Sequence, residues 1–446
     1  MDPPLPMDGV LPPDLQGTLL RIGPAAGAGG GGGGGYGGAL HAVELRDGVA
    51  LSYVSTGSSA DANVLWHAGS VLALAETGLP EQFSRNLAPE EFSGGLTAPI
   101  ASHVHRDAAT GGRILFGVEQ GTETAAPFLR VGEWNRAGEL TDYMAVELDR
   151  ATWQHDLGVT ARHLVIIESP TEYAEELAGP GGGGGIAGVV DDESTPPPSP
   201  VPYRWVPGAE TWVTVVERRG DGSAPRWFRL DPCLVTHVLG AYDDGDAIVL
   251  YVCCYPAPEV GQPFDLASSV VGPLGIGQSL IGGGLAVLER WRIEGETLDR
   301  MQVDERMVEY PRVDPSCEGA PFRYGYCVEV AVGAGIGAAA DRGAVGDVDH
   351  LGLLRFDLAR DEVESWSPGQ YKTASEPLFV RAVDGRSDDE GWLLTVVHDA
   401  TRAVSDLYVL DASSLRSLRS PQAVIHLPAG LPFRAHGTWV GAELYR

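Results

Sequence analysis

Four histidines stand far apart in this chain, each inside a short run that suits neither a surface loop nor an ordinary core strand. They are His103 in Ala101-Ser-His-Val-His-Arg-Asp107, His155 in Trp153-Gln-His-Asp-Leu-Gly158, His237 in Val235-Thr-His-Val-Leu-Gly240 and His436 in Phe433-Arg-Ala-His-Gly-Thr-Trp439. Neutral imidazole is the commonest nitrogen ligand of transition metals, and four of them suit iron, zinc or copper. A single histidine near a strand end is more often a hydrogen-bonded structural residue, so each alone says little. His105, two residues beyond His103, would point the same way along a strand. Ligands this scattered can meet only where the fold brings distant strands to one point, so the chemistry depends on the architecture.

The elements that must position them read as short strands. His163–Glu168, Trp212–Glu217, Ala247–Val252, Leu351–Asp357 and Trp392–His398 are apolar runs of strand length, and Gly/Asp turns such as Asp243-Asp-Gly245 punctuate them. Few segments have helical periodicity. Many short strands with frequent turns predict an all-β sandwich, barrel or propeller. One sandwich is too small for 446 residues. Six or seven four-stranded blades of roughly 60–75 residues fit better, although no blade-length repeat is evident. The whole chain, 1–446, reads as one domain. Gly27–Gly38 and Gly179–Pro200 are low-complexity loops within it, since strand patterns continue on both sides.

Composition excludes some partners. Lys+Arg total 31 against 61 Asp+Glu, a net charge of −30, and Lys372 is the only lysine. Nucleic-acid binding needs a basic face, so that class is set aside. Any membrane contact would be apolar, and the glycine-broken stretch 270–288 is a candidate hydrophobic lip for peripheral attachment. Five cysteines without a Cys-x-x-Cys pair read as reduced thiols of a cytoplasmic protein. The start of the chain has no signal-peptide pattern, and no apolar stretch has the length of a membrane-spanning helix. Gly333-Ala-Gly-Ile-Gly337 follows a strand-like run. Its spacing is not that of a dinucleotide fingerprint, and no helix pattern follows.

Taken with their flanks, these runs resemble the carotenoid cleavage oxygenase family, also called the retinal pigment epithelial membrane protein family. The resemblance starts at Leu11-Pro-Pro-Asp-Leu-Gln-Gly-Thr-Leu-Leu-Arg-Ile-Gly-Pro24. It continues through Leu40-His-Ala-Val43, Leu72-Ala-Leu-Ala-Glu-Thr-Gly-Leu-Pro80, Glu309-Tyr-Pro-Arg-Val-Asp314 and Ser375-Glu-Pro-Leu-Phe-Val380, and ends at His436-Gly437. It implies a seven-bladed β-propeller with a non-haem Fe(II) on its axis and loops forming a dome above. His103, His155, His237 and His436 stand at the ligand positions, His103 being favoured over His105. Glu76, Glu309 and Glu376 match glutamates that orient such histidines, and are expected beside His155, His237 and His436 respectively.

The activity implied is O2-dependent cleavage of a conjugated C=C bond of a carotenoid or apocarotenoid into two carbonyl products, with the metal ligands as the only catalytic residues. The alternative is cleavage of a stilbene or phenylpropenoid alkene by the same centre. Relatives that cleave phenolic stilbenes look to carry a lysine just before the glutamate matching Glu76, where this chain has Ala75, which favours a hydrophobic polyene. Ala62 stands where many relatives place a threonine near a vacant iron position.

Overall fold

The computed structural model describes residues 3–24, 38–76, 78–122, 125–178, 202–219, 224–258, 286–330, 352–416, 420–428, 431 and 436–444. Nearly all regular structure within them is antiparallel sheet; one helical turn, Glu175–Ala178, and a 3₁₀ turn, Pro315–Cys317, are the exceptions. The strands form four sheets of four, one of six, one of seven and a two-stranded ribbon. The seven-stranded sheet is two blades joined by one long strand, Thr297–Arg312. Its first half pairs with Val287–Glu294, and its second half pairs with Tyr324–Val330. The count is therefore seven blades, and the fold is a seven-bladed β-propeller.

Both ends of the chain close the ring. In blade 1 the innermost strand is His436–Gly441, paired with Gly17–Pro24, so that His436 lies opposite Ile22. In blade 7 the outermost strand is Met7–Gly9, paired with Ala423–His426. Closure of this kind leaves no open seam between first and last blades.

The core lies between blades, and side-chain alternation explains it. Leu164 and Ile166 of blade 4 pack with Ile114, Phe116, Leu129 and Val131 of blade 3. The intervening Val165 and Ile167 pack with Ile248 and Leu250 of blade 5. A strand buried on both faces needs apolar residues at every position, which is why these runs lack polar alternation.

Two expectations change here. Gly38, placed in the first loop, begins the strand Gly38–Arg46, and a Cβ there would run into the Ala60 carbonyl. The tail of the proposed membrane lip is core: Ala286 and Leu288 are fully buried, and Val287–Glu294 is a blade strand. Residues 270–285, 27–37, 179–200 and the glycine run 333–337 lie outside the described residues.

Candidate metal centre

The four histidines occupy equivalent places in four blades. His103 and His155 precede the innermost strands His105–Arg106 and Gly158–Val159; His237 lies within Cys233–Asp244, and His436 begins His436–Gly441. One ligand atom from each lies within 4.8 Å of those of the other three, and all four residues are buried. His155 Nε2 is 3.2 Å from His237 Nε2, which is 3.3 Å from His436 Nε2. The His103 ring stands 4.5 Å from that of His155, centroid to centroid, and meets all three others edge-on.

Glutamates from the other three blades stand behind three of these rings. Glu76 follows the second strand of blade 2, Glu309 lies on the innermost strand of blade 6, and Glu376 lies between the two short inner strands of blade 7. His155 Nδ1 lies 2.6 Å from Glu76, His237 Nδ1 2.6 Å from Glu309 and His436 Nδ1 2.7 Å from Glu376. Each blade thus sends one group to the ring axis.

Two β-bulges make this convergence possible. In a regular strand consecutive side chains point to opposite faces. Yet Thr236 Oγ1 donates to Glu309 at 2.8 Å while the next residue, His237, bonds the other oxygen of the same carboxylate. The register of Cys233–Asp244 shifts at Val235/His237 and again at Val238/Gly240, which turns both side chains to one side. The long strand is bulged as well, between Glu309 and Arg312, and Tyr310 within it has φ 52°, an uncommon conformation for a bulky residue. Its ring is directed at His237 and His436, at centroid distances of 5.7 and 5.2 Å.

Each glutamate is held by further donors. Glu76 accepts from Trp153 Nε1 (2.7 Å) and Ser102 Oγ (3.0 Å); Glu309 accepts from Tyr255 OH (2.5 Å); Glu376 accepts from the Gly437 N–H (2.8 Å) and Arg312 Nε (2.8 Å). Burial opposes ionisation of Glu376, but Arg312, His436 and Arg21 outweigh it and bring its pKa down to about 2. Burial also pulls His155 down, and the charge of Glu76 overcomes it, so His155 ends above the ordinary imidazole value. His436 goes the other way, to about 4, because burial exceeds the attraction of Glu376. The difference follows from the neighbours: Asp156 and Glu309 add negative charge near His155, whereas His237 and Arg312 add positive charge near His436. His103, crowded by burial and then by the other three imidazoles, is held well below the usual range.

A metal ion fits this donor set. With Nδ1–H donating to a carboxylate, each Nε2 presents a lone pair inward, and lone pairs about 3.2 Å apart repel unless a cation lies between them. Nitrogens bound at about 2.1 Å and at right angles would be about 3 Å apart, close to what is found. His103 Nε2 is likewise buried, without a hydrogen-bond partner among the described residues.

The other described histidines go elsewhere. His105 bonds Asp156 (2.7 Å), His41 bonds Tyr53, His67 the Asn135 carbonyl, His163 Asp243, His398 Ser405, and His426 both Asp406 and Asp8. Lys372 lies near Tyr408 and Asp399 in blade 7. Ala75 is half-buried against the core between blades 1 and 2. Sequence reasoning missed Trp153, Ser102, Tyr255 and Arg312. Ser102 and Trp153 stand one and two residues before His103 and His155, and Arg312 three after Glu309; Tyr255 has no such neighbour.

A cavity of about 1090 Å³ opens onto His103, His237 and His436 and is walled by residues that follow the site groups along the innermost strands, among them Val104, Leu157, Val238 and Thr438.

A sequence profile described as retinal pigment epithelial membrane protein matches residues 33–441. The chain is 26% identical over 497 aligned residues to a carotenoid cleavage oxygenase of Mycobacterium tuberculosis, covering 98% of this chain and 93% of that one. It is also 26% identical over 397 residues to isoeugenol monooxygenase of Pseudomonas putida, covering 85% and 74%. The crystal structure of cobalt-substituted Synechocystis apocarotenoid oxygenase superposes with a TM-score of 0.77 at 21% identity, over 98% of this chain and 95% of that one, and shows the same fold.

Proposed function

This chain belongs to the retinal pigment epithelial membrane protein family, and from that membership we propose an iron(II)-dependent dioxygenase that cleaves a conjugated C=C bond of a carotenoid or apocarotenoid into two carbonyl products. The observation that carries the reading is the inward convergence of four buried imidazoles from four blades. We assign His103, His155, His237 and His436 to hold the iron, and Glu76, Glu309 and Glu376 to orient three of them.

Held by neutral ligands, a ferrous ion would keep its full charge and would supply the activation of O2 that such a cleavage needs. The protein's own part is positional. Each glutamate fixes its imidazole in the Nδ1–H tautomer, so that Nε2 faces inward. Each carboxylate already accepts from at least three donors, which suits it to holding a ring rather than carrying a proton. The Trp153 ring beside His155 and the Tyr310 ring beside His237 and His436 flank the cluster with aromatic surface.

Ala75 before Glu76, with the only lysine in blade 7, supports a polyene over a phenolic stilbene. A second reading, an isoeugenol-like phenylpropenoid cleaved by the same centre, is kept because the isoeugenol monooxygenase of Pseudomonas putida is as similar in sequence as the mycobacterial carotenoid oxygenase. The reading takes 1–446 as one domain, supported by the pairing of both chain ends into the ring. No helix among the described residues is long and apolar enough to cross a membrane. We propose a cytoplasmic protein from its five cysteines without a Cys-x-x-Cys pair, with peripheral membrane contact as the alternative.

The test is O2 uptake by Fe(II)-loaded protein with apocarotenals, hydroxystilbenes and isoeugenol, with products identified by mass. Uptake with apocarotenals and paired aldehyde products is expected. Uptake with isoeugenol alone would replace the substrate, and no uptake despite bound iron would overturn the oxygenase reading.

A further inference from the structure

Arg106 and Arg113 are direct cross-strand partners in blade 3, where His105–Arg106 pairs with Arg113–Glu119. Partners in an antiparallel pair project to the same face with Cβ atoms about 5 Å apart, and like charges so placed repel. Both line the axial cavity, and Arg136, from the turn that follows the third strand of the same blade, lines it beside them. Elsewhere arginines stand against carboxylates: Arg218 on Asp107, Arg323 on Asp357, Arg402 on Asp399, Arg300 on Glu289. Among the described residues no carboxylate lies within ion-pairing distance of the Arg106 or Arg113 side chain.

The remaining contacts leave these guanidiniums under-compensated. Arg113 donates to the Trp66 carbonyl at 3.3 Å and Arg136 to the Thr110 carbonyl at 2.8 Å, both neutral acceptors. Three cavity carboxylates are taken: Asp156 by His105, Asp314 by Arg381 and Glu376 by Arg312. Glu318 accepts from the Arg106 backbone N–H at 2.8 Å and is close enough to Arg113 to act on its charge, without pairing with it. Burial, and then the neighbouring Arg106, push the Arg113 pKa below its ordinary value despite Glu318. In a chain with 61 acidic residues and 31 basic ones, facing cations without a carboxylate partner call for one from outside.

We propose that Arg106 and Arg113, with Arg136 beside them, form a binding site for a small oxyanion of the phosphate or carboxylate class within the axial cavity. Two guanidinium forks on one face offer parallel N–H donors to the oxygens of one anion, the geometry in which arginine surpasses lysine. The bound charge relieves the cross-strand repulsion, so the site is ready-made in the folded ring. It requires neither the iron nor the oxygenase reading.

The test is titration of metal-free protein with inorganic phosphate, and separately with acetate and succinate, at constant ionic strength, followed by calorimetry and by thermal shift. Saturable binding of at least one anion is expected, and the preferred arm identifies the class. Arg106→Glu, at an exposed position, should fold normally and weaken binding at least tenfold, as should Arg113→Gln. Arg229→Gln, an exposed arginine beside Glu210 in blade 4, should bind as the parent does. Absence of saturable binding by any of the three anions, or parental affinity in a folded Arg106→Glu protein, would overturn the site.

Discussion

Glu309 and Arg312 lie three residues apart on one strand, on either side of a β-bulge, and serve different histidines. Glu309 holds His237 at 2.6 Å, whereas Arg312 donates to Glu376 at 2.8 Å, which in turn holds His436. In a regular strand residues three apart face opposite sides of the sheet; the extra residue of the bulge lets 309 and 312 face the same one. One local irregularity in blade 6 therefore supports half of the histidine cluster.

Glu309→Gln should retain the fold and lower metal affinity or turnover by about 10–100-fold, the usual cost of losing a carboxylate behind a ligating imidazole. His237→Ala should lose stoichiometric metal altogether. Cobalt(II) titration followed by its visible spectrum reads both, the crystallised cobalt-substituted Synechocystis relative making Co(II) a natural probe. A His237→Ala protein that binds Co(II) as tightly as the parent would remove His237 from the ligand set.

Arg312→Met leaves Glu376, 1% exposed, without its nearest guanidinium, although Arg21 stays 3.7 Å away. Stripping one partner from such a pair should cost about 3 kcal/mol. The sign follows from the depressed pKa. Glu376 falls from an ordinary 4.5 to about 2 on folding, so its ionic contribution is complete above about pH 4.5 and lost as pH falls toward 2. Unfolding of metal-free parent and variant should differ most near neutrality and converge in acid; a gap that widens on acidification would contradict this.

Trp153→Phe keeps a ring beside His155 and removes one of three donors to Glu76. A hydrogen bond to a buried carboxylate is worth about 1.5–3 kcal/mol, so a lowered melting temperature is expected, together with weaker metal binding. Unchanged Co(II) affinity would show that the indole acts through packing alone.

Ala75→Lys would place an ammonium beside Glu76. A charge-assisted bond to a phenolate oxygen is worth about 1.5–3 kcal/mol, enough to shift kcat/KM about 10–100-fold toward hydroxystilbenes relative to apocarotenals. Competition between the two substrates measures the shift. No change in preference would remove position 75 from the determinants of substrate class.

Much of this was legible in the sequence, unevenly. Leu164-Val-Ile-Ile167 was legible as a strand from its length and β-branched content, and burial on both faces is what accommodates four aliphatic residues in a row there. The histidines and glutamates were found through their flanking runs, since no spacing rule links residues 103 and 436. Blade number came from the family resemblance, which implied seven, and not from the chain's own pattern, as no repeat is evident and one strand, Thr297–Arg312, belongs to two blades. Arg312 and Trp153 were missed because their partners, Glu376 and Glu76, lie 64 and 77 residues away, and nothing local marks such a bond. The bulges at Thr236-His237 and at Tyr310 were equally invisible, since neither carries a glycine; only the next shift along, at Val238/Gly240, does.

The pairing of His436–Gly441 with Gly17–Pro24 is what completes the centre. His436 lies 199 residues after His237 and opens the strand that completes blade 1 on Gly17–Pro24. Without that pairing only three of the four imidazoles have a complete blade behind them. Occupation of the complete set is thus tied to ring closure, so bound metal would act by mass action as a clasp on the whole propeller and not on one blade.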